Sequence, residues 1–199
     1  MPQRLAEVAG EDERRLCERA GSPLSWVSPA VAAVALAHGL LGEEAGFRVW
    51  RTRAERVAGG ARSRYLASFA AFVDARTALR AGRAAGALVD AAFADFPPQD
   101  WYRTYARAAG AELAVAAGLP DAAERLAAAS GAAAENDWAA ACLSRAAGRL
   151  HGDLDELSAA VEAWERIGAH YERACTLLLI PAREEEGRKE LAALAGAVS

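Results

Sequence analysis

Apolar residues recur along this chain at intervals of three and four, and almost nowhere at intervals of two. Three-and-four spacing gives a helix one apolar face, whereas a half-buried strand needs strict alternation. Val and Ile are few and scattered, so strand signals are nearly missing. The pattern predicts helices at about 2–20, 24–41, 43–58, 61–81, 84–95, 99–117, 120–132, 137–151, 154–167, 169–179 and 183–196.

Breaker residues separate these segments. Gly21-Ser22-Pro23 stops the first, and Pro23 is tolerated in the opening turn of the second. Gly59-Gly60, Phe96-Pro97-Pro98, Gly118-Leu119-Pro120-Asp121 and Ile180-Pro181 divide later ones. Asp153 is placed to cap the helix from Leu154, with Glu156 at capping-box spacing. The connections are short, so neighbouring helices should pack antiparallel. The expected fold class is all-α, with antiparallel helix hairpins stacked as a tetratricopeptide-like (TPR-like) α-α superhelix. It would form one domain over 1–199, with less regular helices in 1–42 and a repeat array in 43–199.

A repeat supports that expectation. Tyr65, Trp101, Trp138 and Tyr171 each open a helix, at spacings of 36, 37 and 33 residues, close to the tetratricopeptide period of about 34. Four residues after each comes Phe69, Tyr105, Cys142 or Cys175, on the same helical face. Arg-Ala-Ala-Gly recurs at Arg107–Gly110 and Arg145–Gly148. Leu113, Ala122, Leu126 and Ala129 follow the first copy, and His151, Ala160, Trp164 and Ile167 the second, matching the repeat's order of large and small positions. His151 thus falls in a large, packed slot.

Composition narrows the function classes. Alanine fills about a quarter of the 199 residues, which favours helix. Arginine replaces lysine everywhere except Lys189, as in a GC-rich bacterial genome. The formal net charge is −4, with the acidic excess in the second half. That argues against direct nucleic-acid binding, which needs a basic surface. Cys17, Cys142 and Cys175 lie far apart without a CxxC pair, which suits a reducing cytoplasm. The first fifteen residues lack a signal peptide's apolar core, and the longest apolar stretch, 29–41, is too short to span a bilayer. The expected location is cytoplasmic, with no membrane partner.

The string Ala163-Trp164-Glu165-Arg166-Ile167-Gly168-Ala169-His170-Tyr171-Glu172-Arg173-Ala174-Cys175-Thr176-Leu177-Leu178-Leu179 resembles the end of the tetratricopeptide-like array in large bacterial LuxR-type ATPase regulators and related cyclase-linked ATPases. There a W-x-x-(L/I)-G turn leads into Y-E-x-A-x-x-L-L. Gly46–Val57 looks like an earlier copy. The likeness spans about 40–195, and its sharp part is some twenty residues. It implies a scaffold or inducer-sensing array. The chain carries no GxxxxGK[ST] and ends where that family continues into a helix-turn-helix, so neither ATP hydrolysis nor DNA binding carries over.

No catalytic constellation stands out. His38, His151 and His170 have no metal-ligand spacing, and no GxSxG or GxGxxG occurs. Cys142 and Cys175 read as buried small hydrophobes. No cofactor and no enzyme activity are expected. Three arginine pairs, Arg76/Arg80, Arg103/Arg107 and Arg145/Arg149, stand four residues apart on successive first helices of the hairpins. Such helices line the concave face of a solenoid, where guanidinium groups would hold an acidic peptide or a carboxylate. The plainer reading is a solvated helix face. Trp50 and Arg51 form a second candidate, an arginine–tryptophan surface for an anion or aromatic ligand. The leading expectation is a non-catalytic binding scaffold for an acidic protein or peptide. Alternatives are a small-molecule effector sensor and an enzyme on the same scaffold. A homodimer is a further expected partner, through the apolar ends of an uncapped array.

Overall fold

A computed structural model of the chain describes residues 24–60, 63–64, 66–83, 86–98 and 100–196. The helix expected over 2–20, the stop at 21–23, Cys17 and Tyr65 lie outside the described residues. Ten α-helices run in order, and no strand occurs among the described residues. They are α1 (Ser28–Leu41), α2 (Glu44–Ala58), α3 (Ala67–Arg80), α4 (Gly86–Ala92), α5 (Arg103–Ala116), α6 (Ala122–Ala129), α7 (Asp137–His151), α8 (Leu154–Arg166), α9 (His170–Leu177) and α10 (Glu184–Gly196). Short 3-10 turns cover Leu24–Val27, Ser130–Ala134 and Pro181–Arg183.

Helices pair in sequence, α1 with α2, α3 with α4, and so on to α9 with α10. The odd helices α1, α3, α5 and α7 also pack side by side in a row. Even helices α4, α6 and α8 each rest on the next odd helix. The protein is all-α, as the periodicity predicts.

The caps work largely as their residues dictate. Asp153 Oδ1 accepts from the amides of Asp155 (3.0 Å) and Glu156 (3.1 Å). Only half of the expected capping box forms, because the Glu156 carboxylate accepts from Ser144 Oγ at 2.7 Å instead. Asn136 caps α7 by accepting from Ala139 N at 2.7 Å. Two helices begin later than their apolar patterns suggest. Ser63 O accepts from the amides of Leu66 and Ala67, so a turn precedes α3. Before α5, Asp100 accepts from Tyr102 N, and Pro97 O accepts from Asp100 N.

That second turn changes the fate of Trp101. It does not anchor an interface from a first helical turn but stands 86% exposed. His151, expected in a packed slot, is also exposed, because α7 ends there and the chain turns through Gly152 at φ +66°.

Small side chains let the helices approach closely. Many core alanines are fully buried. A Cβ on Gly110 would sit 2.5 Å from Ala92 Cβ, and one on Gly187 would sit 2.8 Å from the Ala174 carbonyl oxygen. Bulk comes from an aromatic ladder crossing four helices. Phe72 meets Trp138 at 5.3 Å, Tyr105 meets Trp138 at 5.5 Å, and Trp138 meets Trp164 edge-on at 5.7 Å. Trp164 is wholly buried. Replacing Trp164 by Ala should therefore cost about 3–5 kcal/mol. Trp101→Ala should stay within about 0.5 kcal/mol. Urea denaturation of the two variants measures the contrast.

Candidate functional site

A half-open groove of about 860 Å³ runs across the row of odd helices. One wall is the end of α1, with Ala37, Leu40 and Leu41. The other is the turn after α9 and helix α10, with Leu178, Leu179, Leu191 and Leu194. Between them lie Leu79, Arg76 and Arg80 of α3, Glu112 of α5, Arg145 and Arg149 of α7, and Tyr171 and Cys175 of α9.

The floor is a buried ionic cluster. Arg76 Nη1 donates to Glu112 Oε2 at 2.5 Å, and Arg76 Nη2 donates to Glu172 Oε1 at 2.7 Å and Oε2 at 2.5 Å. Arg145 Nη2 donates to Glu112 Oε2 at 2.9 Å and Glu172 Oε2 at 2.8 Å. Arg145 Nη1 reaches the Glu172 carbonyl at 3.1 Å and Thr176 Oγ1 at 3.2 Å. Its Nε lies 2.5 Å from Glu112 Oε1 without hydrogen-bond alignment. All four residues are less than 9% exposed. Two guanidinium groups and two carboxylates thus neutralise each other, and each guanidinium also faces a tryptophan of the ladder, Trp138 at 5.6 Å and Trp164 at 5.0 Å.

For Arg76, Arg145 and Glu112, burial penalises the charged form, yet the pairing outweighs it. Glu112 is held below its ordinary pKa by Arg145 and Arg76 against the desolvation that would raise it. Cys142 responds the other way. Its burial, and then the nearby Glu112 carboxylate, push the thiol well above its ordinary range. It donates to Glu112 Oε2 at 3.2 Å. Cys175 and Tyr171 are raised chiefly by burial as well. Both thiols therefore stay protonated, as structural rather than nucleophilic groups do.

The arginine pairs divide. Arg76 and Arg145, the inner members, are consumed in the floor. Arg80 and Arg149, the outer members, are exposed on the groove's rim. Arg80 Nε donates to the Leu40 carbonyl at 3.2 Å, and neither rim arginine has a carboxylate partner among the described residues. Arg103 and Arg107 do not line the groove. Arg103 lies 3.5 Å from Glu135, and half-buried Arg107 packs elsewhere on α5.

Trp50 and Arg51 are also outside it. Trp50 packs against the core under Arg53, whose guanidinium is 4.8 Å above the ring. Arg51 forks onto Asp74 with two 2.9 Å bonds and donates to Glu55 at 2.9 Å. That geometry makes Arg51 a clamp between α2 and α3. No group of three or more metal-ligating side chains occurs among the described residues, and no helix among them is long and apolar enough to cross a membrane.

Glu112→Gln removes a buried carboxylate facing two guanidinium groups, so it should cost about 3–5 kcal/mol in denaturant titrations. The pH dependence has a fixed sign. Glu112 has a folded pKa below the unfolded value of 4.5, so its stabilisation is full above that value and is lost as pH falls through the folded one. Unfolding free energy should drop below pH 4.5 in the native protein, and less steeply in the Gln variant. Comparison with family models, curated proteins and solved structures returns no match, so the site rests on its own geometry.

Proposed function

We propose that this chain is a non-catalytic, TPR-like binding module that seats an acidic protein or peptide in the groove across α1, α3, α7, α9 and α10. One observation carries the reading: Arg80 and Arg149 stand on the rim of a leucine-walled trough without carboxylate partners among the described residues. Guanidinium groups bind carboxylates bidentately, and apolar walls supply the burial that gives affinity. The superhelical reading is supported by the packing order, in which each odd helix of the row touches the next and each resting even helix touches the odd one after it. The aligned repeat positions point the same way.

The likeness of Trp164–Leu179 to the arrays of LuxR-type ATPase regulators supports a place in the cytoplasm as the sensor or interaction part of a bacterial transcriptional regulator. A second reading is favoured by the groove's size. About 860 Å³ lies within the roughly 300–1,000 Å³ of small-molecule sites, so a carboxylate-bearing effector would use the same residues.

Anisotropy titrations against an array of twelve-residue peptides of graded net charge test the proposal. The native protein should prefer acidic peptides, with affinity falling as salt rises. Arg80→Glu with Arg149→Glu should weaken them at least about tenfold, equivalent to about 1.4 kcal/mol. Both positions are exposed, so the melting temperature should hardly move. Unchanged acidic preference in the double variant would refute the assignment.

A further inference from the structure

The groove's chemistry narrows its occupant, on the reading that it binds a peptide. We infer that the bound segment is an amphipathic α-helix with leucine-like residues on one face and carboxylates flanking that face. Three observations carry this. First, the lining side chains suit an extended backbone poorly. Glu112 is fully engaged in the floor, which leaves the Tyr171 hydroxyl and the weakly accepting Cys175 sulfur beside rim guanidinium groups that only donate. An extended peptide would present a run of amides with few side-chain acceptors opposite them, and unpaired buried backbone groups are costly. A helix satisfies its own backbone.

Second, leucines dominate the apolar lining. Leu40, Leu41, Leu178, Leu179, Leu191 and Leu194 all line the trough. Such walls take the side chains of an apolar stripe spaced i, i+3/i+4, i+7. Third, the trough is open along one side. A bare hydrocarbon chain would stay half wetted there, whereas a helix turns its polar face outward. Arg80 of α3 and Arg149 of α7 then meet carboxylates beside the stripe. They confer charge selectivity, because the paired floor adds no net charge.

Selection of a randomised fourteen-residue display library against the whole protein tests this, with each enriched peptide then titrated against the Arg80→Glu, Arg149→Glu variant. Enriched peptides should carry apolar residues at helical spacing with Asp or Glu alongside. They should become helical on binding by circular dichroism. A central proline should weaken them at least about tenfold, as should Leu41→Asp, placed at an already half-exposed position of the wall.

Enrichment of proline-tolerant peptides that bind without helix formation would overturn the helical occupant while leaving the peptide groove intact. Peptides indifferent to the arginine reversals and to Leu41→Asp would overturn both. Failure to enrich any peptide, with palmitate alone displacing an apolar dye from the protein, would replace the peptide by a small amphiphile.

Discussion

The pairing of Arg76 and Arg145 with Glu112 and Glu172 is the contact on which the rest of the architecture depends. It joins α3, α5, α7 and α9 at one point, and the Arg76–Glu172 bond spans 96 residues of sequence. Helices α3 and α9 have five others between them in the chain, so this bond ties the row to a helix far along the sequence. A buried ion pair gives little net stability, because desolvation offsets its attraction. Its strength lies in direction. Bidentate guanidinium–carboxylate geometry is met in only one arrangement of the four helices, whereas packing of alanine against alanine is permissive. The cluster therefore fixes which helix arrangement the small-residue core adopts.

That division follows from composition. A core rich in alanine brings helices close but provides few side chains that interlock, and interlocking is what makes a native state unique. The aromatic ladder from Phe72 to Trp164 supplies much of the missing bulk, and the ionic cluster lies directly against it, with Arg76 over Trp138 and Arg145 over Trp164. Bulk and charge thus share one seam. Several leucines lie away from it and remain half-buried along the groove. A chain that used them to fill its own core would have no such trough.

Local features were legible in the sequence because their causes are local. The span of α7 over Asp137–His151 follows from its apolar period and its stop at Gly152, and Asp153 caps α8 as its spacing implies. Trp101 misled for a local reason too, since the Pro97–Asp100 turn delays α5 and turns the indole outward. Regarding the site, the i,i+4 arginine pairs were visible, but their inequality was not. Which guanidinium is neutralised depends on Glu112 and Glu172, which lie 36 and 96 residues from Arg76. Glu112 did leave a trace, as a carboxylate between Ala108–Ala111 and Leu113–Val115, a setting that exposes no other polar neighbour. The groove walls left none, because α1 and α10 meet across it only through the fold.

The splitting of the Arg76/Arg80 and Arg145/Arg149 pairs has a physical logic. Two adjacent guanidinium groups left bare in a half-buried trough would repel one another and resist desolvation. Neutralising Arg76 and Arg145 internally removes that cost and makes the floor rigid and uncharged, while one turn further along each helix Arg80 and Arg149 keep their charge in contact with water. If the trough seats an acidic partner as proposed, exposed charges of this kind would set on-rate and discrimination more than raw affinity, and affinity would come from the leucine walls. Selectivity would then sit on α3 and α7 and binding strength chiefly on α1, α10 and the turn after α9, so a ligand that satisfied one without the other would be rejected.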